Sequence, residues 1–248
     1  MRLLILSLSV IALTGCSSKG FKRNFDMVEK TVVIPKPSRD SDIQMALEKK
    51  PNLPQNMRIA VYFVDPPQTF DRRQKSKRQW RWTQDDKAII SDIQSHLTEK
   101  GIDAYVFPIT SGLVKIEKRP DRNLKTIRLL AAKHGADAVL IVQGHAEVQR
   151  TANNLALSYF LILPALFVPG SDANTLFIAS ASLWDVRNEY LYLTAETEEA
   201  HTESYIPAFG KSDKVRITKA KTNALGQLRQ QINNLILSQK SKKTTANQ

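Results

Sequence analysis

Apolar positions in this chain fall into short runs whose period alternates between that of a buried strand and that of an amphipathic helix. Arg58-Ile-Ala-Val-Tyr-Phe-Val-Asp65 is a compact β-branched run closed by Pro66-Pro67, which predicts a buried strand. Thr83-Gln-Asp-Asp86 has the form of a capping arrangement, with acids in the first helical turn. The helix it opens places Ile89, Ile90, Ile93 and Leu97 on one face and stops at Gly101. Asp103–Ile109 predicts a second strand. A second helix starts at Pro120 and Asp121, turns Leu124, Ile127, Leu130 and Ala131 inward, and ends at Gly135. Ala138–Gly144 is apolar without interruption, the mark of a central strand covered on both faces. Ala173–Val186 and Leu191–Ala200 predict two long strands around the turn Asp185–Glu189, with Asn188 suited to the turn. A final helix over Lys214–Leu237 presents Leu225, Leu228, Ile232, Leu235 and Ile236 as its apolar face. The expected fold class is therefore α/β (α+β), a two- or three-layer domain with a mixed sheet in the order β-α-β-α-β-hairpin-α.

Both ends of the chain differ from this middle. Residues 17 to 56 carry Pro35, Pro37, Pro51 and Pro54 among Ser, Lys and Asp, and predict a flexible tether. Within it, Thr31–Ile34 could add an edge strand and Asp42–Lys49 one or two helical turns. Residues 238–248 are polar and lysine-rich and predict a disordered tail. The domain proper is expected over 57–237.

The amino terminus changes the picture most. Arg2 and the free amine precede the apolar run Leu3–Leu13, and Leu13-Thr14-Gly15-Cys16 resembles a bacterial lipobox. The run is too short for a conventional spanning helix, which needs about 20 apolar residues. The resemblance implies that residues 1–15 are a signal peptide and that Cys16 becomes the acylated (palmitate-bearing) first residue of a membrane-anchored lipoprotein. It also implies outer-membrane sorting, because Ser17 stands where an Asp would favour inner-membrane retention in enteric-type lipoproteins. The domain would then sit in the periplasm. Cys16 is the only cysteine, so its acylation leaves no thiol for disulfides, metal binding or catalysis.

The formal charge of +12 suggests anionic partners. For an exported chain these are lipid headgroups and peptidoglycan carboxylates rather than nucleic acid. Arg72, Arg73, Lys75, Lys77, Arg78 and Arg81 surround Trp80 and Trp82 ahead of the first helix. Cations interleaved with indoles suit an anionic interface; the alternative is a solvated loop whose tryptophans pack on the domain. The most apolar stretch of the mature chain is 155–168, with Tyr159, Phe160, Leu161, Ile162, Leu163, Leu166 and Phe167. Pro164 interrupts it. It reads either as an element packed on the sheet or as a contact surface for a membrane, an envelope partner or a second copy.

No segment carries a recognisable catalytic motif. His96 and His134 fall near helix ends. His145 and Glu147 are same-face neighbours on a strand, a weak metal or acid–base pair. His201 lies among Glu196, Glu198, Glu199 and Glu203; Glu196 and Glu198 share a face, although a solvated acidic edge facing the basic loop is the simpler reading. Neither a metal nor a cofactor is expected.

The element order, together with Arg58–Asp65, the helix ending at Lys100-Gly101, Ala132–Gly144 and the Trp184–Tyr192 hairpin, resembles the domain shared by TolB amino-terminal domains, the curli-secretion lipoprotein CsgG and the penicillin-binding-protein activator LpoB. A weaker resemblance is to rhombotarget lipoproteins. It implies a non-catalytic accessory or assembly factor of an envelope machine for secretion, peptidoglycan or surface structures. The alternatives are a membrane-inserting oligomer of a secretion channel and, further off, an envelope hydrolase.

Overall fold

The computed structural model describes residues 40–51, 54, 56–66, 80–113, 120–153, 155–156, 169–206 and 212–245. The elements run α1 (Asp40–Glu48), β1 (Met57–Phe63), α2 (Gln84–Ser91), α3 (Ile93–Glu99), β2 (Ala104–Ile109), α4 (Pro120–Lys133), β3 (Ala138–Ala152), β4 (Ser171–Asp185), β5 (Leu191–Tyr205) and α5 (Asp213–Thr245). The five strands form one mixed sheet in the order β2-β1-β3-β4-β5. β1 pairs in parallel with β2 and β3, while β3–β4 and β4–β5 are antiparallel.

Each crossover helix follows from its sequence. Thr83 caps α2 in a reciprocal box: its hydroxyl accepts the Asp86 N–H, and the Asp86 carboxylate accepts the Thr83 N–H at 2.6 Å. The predicted single helix breaks at Asp92 into α2 and α3, yet keeps Ile90, Ile93 and Leu97 buried on one side. α4 ends at Gly135, whose φ of 70° is the left-handed conformation that suits glycine. α2, α3 and α5 cover one face of the sheet, where Ile59, Val61, Leu140, Leu225, Leu228 and Ile232 share a core. α4 covers the other, against Ala60, Tyr62, Val139 and Ile141. The architecture is thus three-layered, and β1 and the first half of β3 are buried on both faces, as their unbroken apolar runs require.

Three elements are longer than the hydrophobic pattern indicates. β3 continues past Gly144 to Ala152, and β5 past Ala200 to Tyr205. Their outer halves have one half-covered face and are polar, so the apolar signal fades while the ladder continues. α5 runs to Thr245, so residues 238–245 are helical where a disordered tail was expected. Asp40–Glu48 forms the short helix foreseen in the tether; Thr31–Ile34 lies outside the described residues.

The β4–β5 turn is built on Asp185, which is fully buried. Its carboxylate accepts the backbone N–H groups of Arg187 (2.7 Å) and Asn188 (3.1 Å) and the Tyr192 hydroxyl. The Asn188 side chain accepts the Tyr190 N–H, and Glu189 takes the left-handed conformation.

Tyr62 sets a measurable pH limit. Its ring is buried, and its hydroxyl has no hydrogen-bond partner among the described residues. Burial, assisted by the Asp65 charge, pushes its pKa up to about 12. Between pH 10 and 12 an unfolded tyrosine ionises while the folded one stays protonated, so stability falls as pH rises, by about 2–3 kcal/mol across that window. Tyr62→Phe is expected to be neutral to mildly stabilising at pH 7 and to flatten this fall. A denaturant titration at pH 7 and 11 checks both, and an unchanged slope in the variant would exclude Tyr62 as its source.

Candidate contact surface

The tryptophans turn inward. Trp80 is only 9 % exposed, and its ring meets Phe177 at 5.0 Å and Trp82 at 4.7 Å, edge to face. Trp82 also packs on Phe63 (5.2 Å), and its indole N–H donates to the Val64 carbonyl at 2.7 Å. Gly144 on β3 makes room for this cluster: a Cβ there would lie 2.7 Å from Trp80, 2.8 Å from Phe177 and 3.0 Å from Trp82. The reading of Trp80 and Trp82 as headgroup-depth indoles is therefore corrected. They close the core where β1 ends, because edge-to-face aromatic packing outweighs an exposed role. Arg81 between them is exposed. Arg72, Arg73, Lys75, Lys77 and Arg78 lie outside the described residues.

Beneath the cluster, Lys221 of α5 is buried against Asp86, and its ammonium also donates to the Arg81 carbonyl at 2.9 Å. Asp86 is legible in the sequence as a capping residue. Its ion pair is not, because the partner is 135 residues away.

The remaining candidates divide between the two sheet faces. Glu199 accepts from Asn223 and Gln227, and Glu203 pairs with Arg216, so both face α5. Strand alternation puts His201 with them and Glu196 and Glu198 on the opposite face. The acidic group around His201 is thereby split. His145 and Glu147 share the face opposite the tryptophans, where Gln149 donates to Glu147 at 2.9 Å. His96 lies 3.9 Å from Glu99, and His134 Nδ1 lies 3.0 Å from the Leu130 carbonyl at the end of α4. Among the described residues, no group of three or more His, Cys, Asp and Glu side chains could hold a metal ion, and no helix is long and apolar enough to cross a membrane.

What the fold does assemble is a domain with two unlike ends. At one end lie the starts of β1, β2 and β3 and the β4–β5 turn, since Met57 registers with Ala104 and Ala138 with Asp185. The tether is held there. The Asn188 side chain donates to the Lys50 carbonyl at 2.8 Å, and Lys49 lies 3.7 Å from Glu189. Glu189 also pairs with Arg128 of α4, whose guanidinium donates to the carbonyls of Asp185 (3.1 Å) and Val186 (2.8 Å). Burial lowers the Arg128 pKa, with the Glu189 and Asp185 charges opposing that shift.

At the other end β3 and β4 run on together with β5, which pairs with β4 as far as Ser171–Tyr205, as a three-stranded ribbon. Each is 15 residues long, a span of about 50 Å. The ribbon tip is closed by Asn153, whose side chain donates to the Pro169 carbonyl (2.8 Å) and Asp172 (2.9 Å) and accepts the Leu155 N–H. Arg150 grips Asp213 at the start of α5 with two 2.7 Å contacts, and this hydrogen bonding and charge raise its pKa. The apolar segment 155–168 begins at this tip. Leu155 is 51 % exposed; Tyr159, Phe160, Leu161, Ile162, Leu163, Leu166 and Phe167 lie outside the described residues.

No family model matches the chain, and no curated protein sequence matches it. Among solved structures, the chain is similar to a minor lipoprotein from Acinetobacter baumannii at 9% identity, covering 76% of this chain and 96% of that one, with a TM-score of 0.35. It is similar to a neuraminyllactose-binding hemagglutinin homolog from Helicobacter pylori at 10% identity, covering 81% and 96%, with a TM-score of 0.43. It is also similar to the PelC dodecamer from Paraburkholderia phytofirmans at 14% identity, covering 73% and 94%, with a TM-score of 0.31. Likeness this distant bears no weight in the functional reading.

Proposed function

We propose that this chain is a non-catalytic, lipid-anchored envelope lipoprotein that works as an accessory or assembly factor through protein contacts. Cys16 carries the acyl chains, Ser17 directs the protein to the outer membrane, and the domain lies in the periplasm. The observation that carries the reading is the division of the domain into a tether end and a ribbon end. A domain held at the Lys49–Lys50 end reaches outward along β3 and β4, and presents Leu155, where the apolar 155–168 sequence begins, about 50 Å from its own attachment point. Large exposed apolar patches mark contacts, and 155–168 is the most apolar sequence of the mature chain.

Two measurements test it. Metabolic palmitate labelling should mark the wild-type chain and be lost in Cys16→Ala; a chain that takes no label refutes the anchor. A photo-crosslinking residue at Leu155 should form adducts in intact envelopes, whereas one at the exposed Leu129 on α4 should not. Equal crosslinking at both positions would remove the case for the ribbon tip. Adducts of twice the chain mass would identify the partner as a second copy.

A further inference from the structure

The carboxyl-terminal helix continues past the core positions that it presents to the sheet. α5 spans 33 residues, about 50 Å; up to Ser238, Ile232 and Asn233 are the last buried side chains described, and Leu235, Ile236 and Leu237 are partly buried against the core. Residues 238–245 continue the same helix.

Its direction is fixed by two ion pairs. Lys221 pairs with Asp86 in the first turn of α2, and Arg229 pairs with Asp92 at the α2–α3 junction. α5 therefore runs alongside α2 and α3. Those helices lead from Trp82, bonded at the end of β1, back to Ile102 beside the start of β2. Asp103 at that start is joined to Met57 by a 3.1 Å backbone hydrogen bond. The end of α5 thus leaves the domain on the side where β1 begins and where the β4–β5 turn holds Lys49 and Lys50.

Its charge is one-sided. Asp213 is the sole acidic residue from 213 to 248, and the last turns of the helix carry Lys240, Lys242 and Lys243. The partly buried Leu235–Leu237 stretch comes immediately before them. An apolar collar followed by lysines is the composition of a helix end seated at a lipid–water interface.

We infer that residues 238–245 of α5 form a basic helical arm that binds the anionic lipid surface beside the tether. Two contacts, the acyl chains and the arm, then fix which end of the domain faces the membrane and turn the ribbon away from it. The orientation rests on the proposed anchoring at Cys16; the binding of anionic lipid by the arm does not.

The test uses the unacylated Cys16→Ser full chain with vesicles of phosphatidylcholine, with and without phosphatidylglycerol. A lysine near an anionic surface strengthens binding about five-fold, so replacing Lys240, Lys242 and Lys243 with Gln should weaken phosphatidylglycerol-dependent binding about 100-fold. Lys→Arg at the same three positions should retain it, and high salt should abolish it. The Gln variant should keep the thermal midpoint of the parent, because Gln and Lys have similar helix propensities and the substitutions lie beyond the buried Ile232. Absence of phosphatidylglycerol-dependent binding overturns the inference. So does binding that persists in the Gln variant and is lost instead when Arg72, Arg73 and Lys75 are replaced. Failure of palmitate labelling, with arm binding intact, would refute the anchor alone.

Discussion

Replacing Lys221 with Met is expected to lower the stability of the domain by about 3–5 kcal/mol, the usual cost of leaving one partner of a buried ion pair alone. In a domain of this size that corresponds to a thermal midpoint lower by roughly 10 °C. Both side chains are nearly inaccessible, at 2% and 3%. The carboxylate that Lys221 neutralises also accepts the Thr83 N–H at the start of α2. Without Lys221, Asp86 must either keep a charge out of water or take up a proton and weaken the cap. Adding Asp86→Asn to Lys221→Met should recover a large part of the loss, because the amide oxygen can still accept from Thr83 and no charge remains. Urea unfolding of the two single variants and the double variant measures the coupling. A loss below about 1 kcal/mol for Lys221→Met would show that water reaches the pair.

That pair also marks where the sequence stops being legible. The capping box was readable because Thr83 and Asp86 are three residues apart and their chemistry is local. Lys221 sits on an α5 helix whose apolar stripe marks it as packed, but nothing in the stripe says which carboxylate it meets. The three-layer class was readable for a similar reason: Ile59–Phe63 of β1 and Ala138–Val142 of β3 are apolar at every position, and the helices between them keep a single buried face. Polar extensions were not. Beyond Gly144, His145, Glu147 and Gln149 make one face of β3 polar and partly exposed, and on the other face Ala146 and Val148 give way to Arg150, so the apolar signal fades although the ladder with β4 persists to Ala152. Residues 238–245 have the composition of a disordered tail, yet extending an established helix costs far less than nucleating one. The apolar 155–168 segment and its lysine-rich counterpart at the far end of α5 were both visible as compositions. Only the directions of β3, β4 and α5 put Leu155, where the first begins, and the end of α5 at opposite ends of the domain.

Trp80→Ala is expected to cost about 3–5 kcal/mol, the range for truncating a buried aromatic side chain. The ring is edge-on to both Phe177 and Trp82, and it lies over the site that Gly144 leaves open. Lys221 Nζ lies 5.9 Å from its centroid, so truncation also removes part of the wall that shields the Asp86–Lys221 pair from water. Partial collapse of the cavity is blocked on one side by the β3 backbone at Gly144, which cannot move without breaking its pairing to Ala179. This expectation separates a core indole from an interfacial one. A tryptophan seated among headgroups contributes little to the stability of the free protein, and its fluorescence is quenched by brominated lipid. Trp80 should show the reverse in the vesicle-bound chain: a large stability loss on truncation and no quenching. Restoring a bulky ring with Trp80→Phe should recover about half of the loss or more, because most of the contact area returns. A stability change below about 1 kcal/mol in Trp80→Ala, together with bromolipid quenching of the wild-type indole, would return Trp80 and Trp82 to the membrane-facing role that their basic neighbours first suggest.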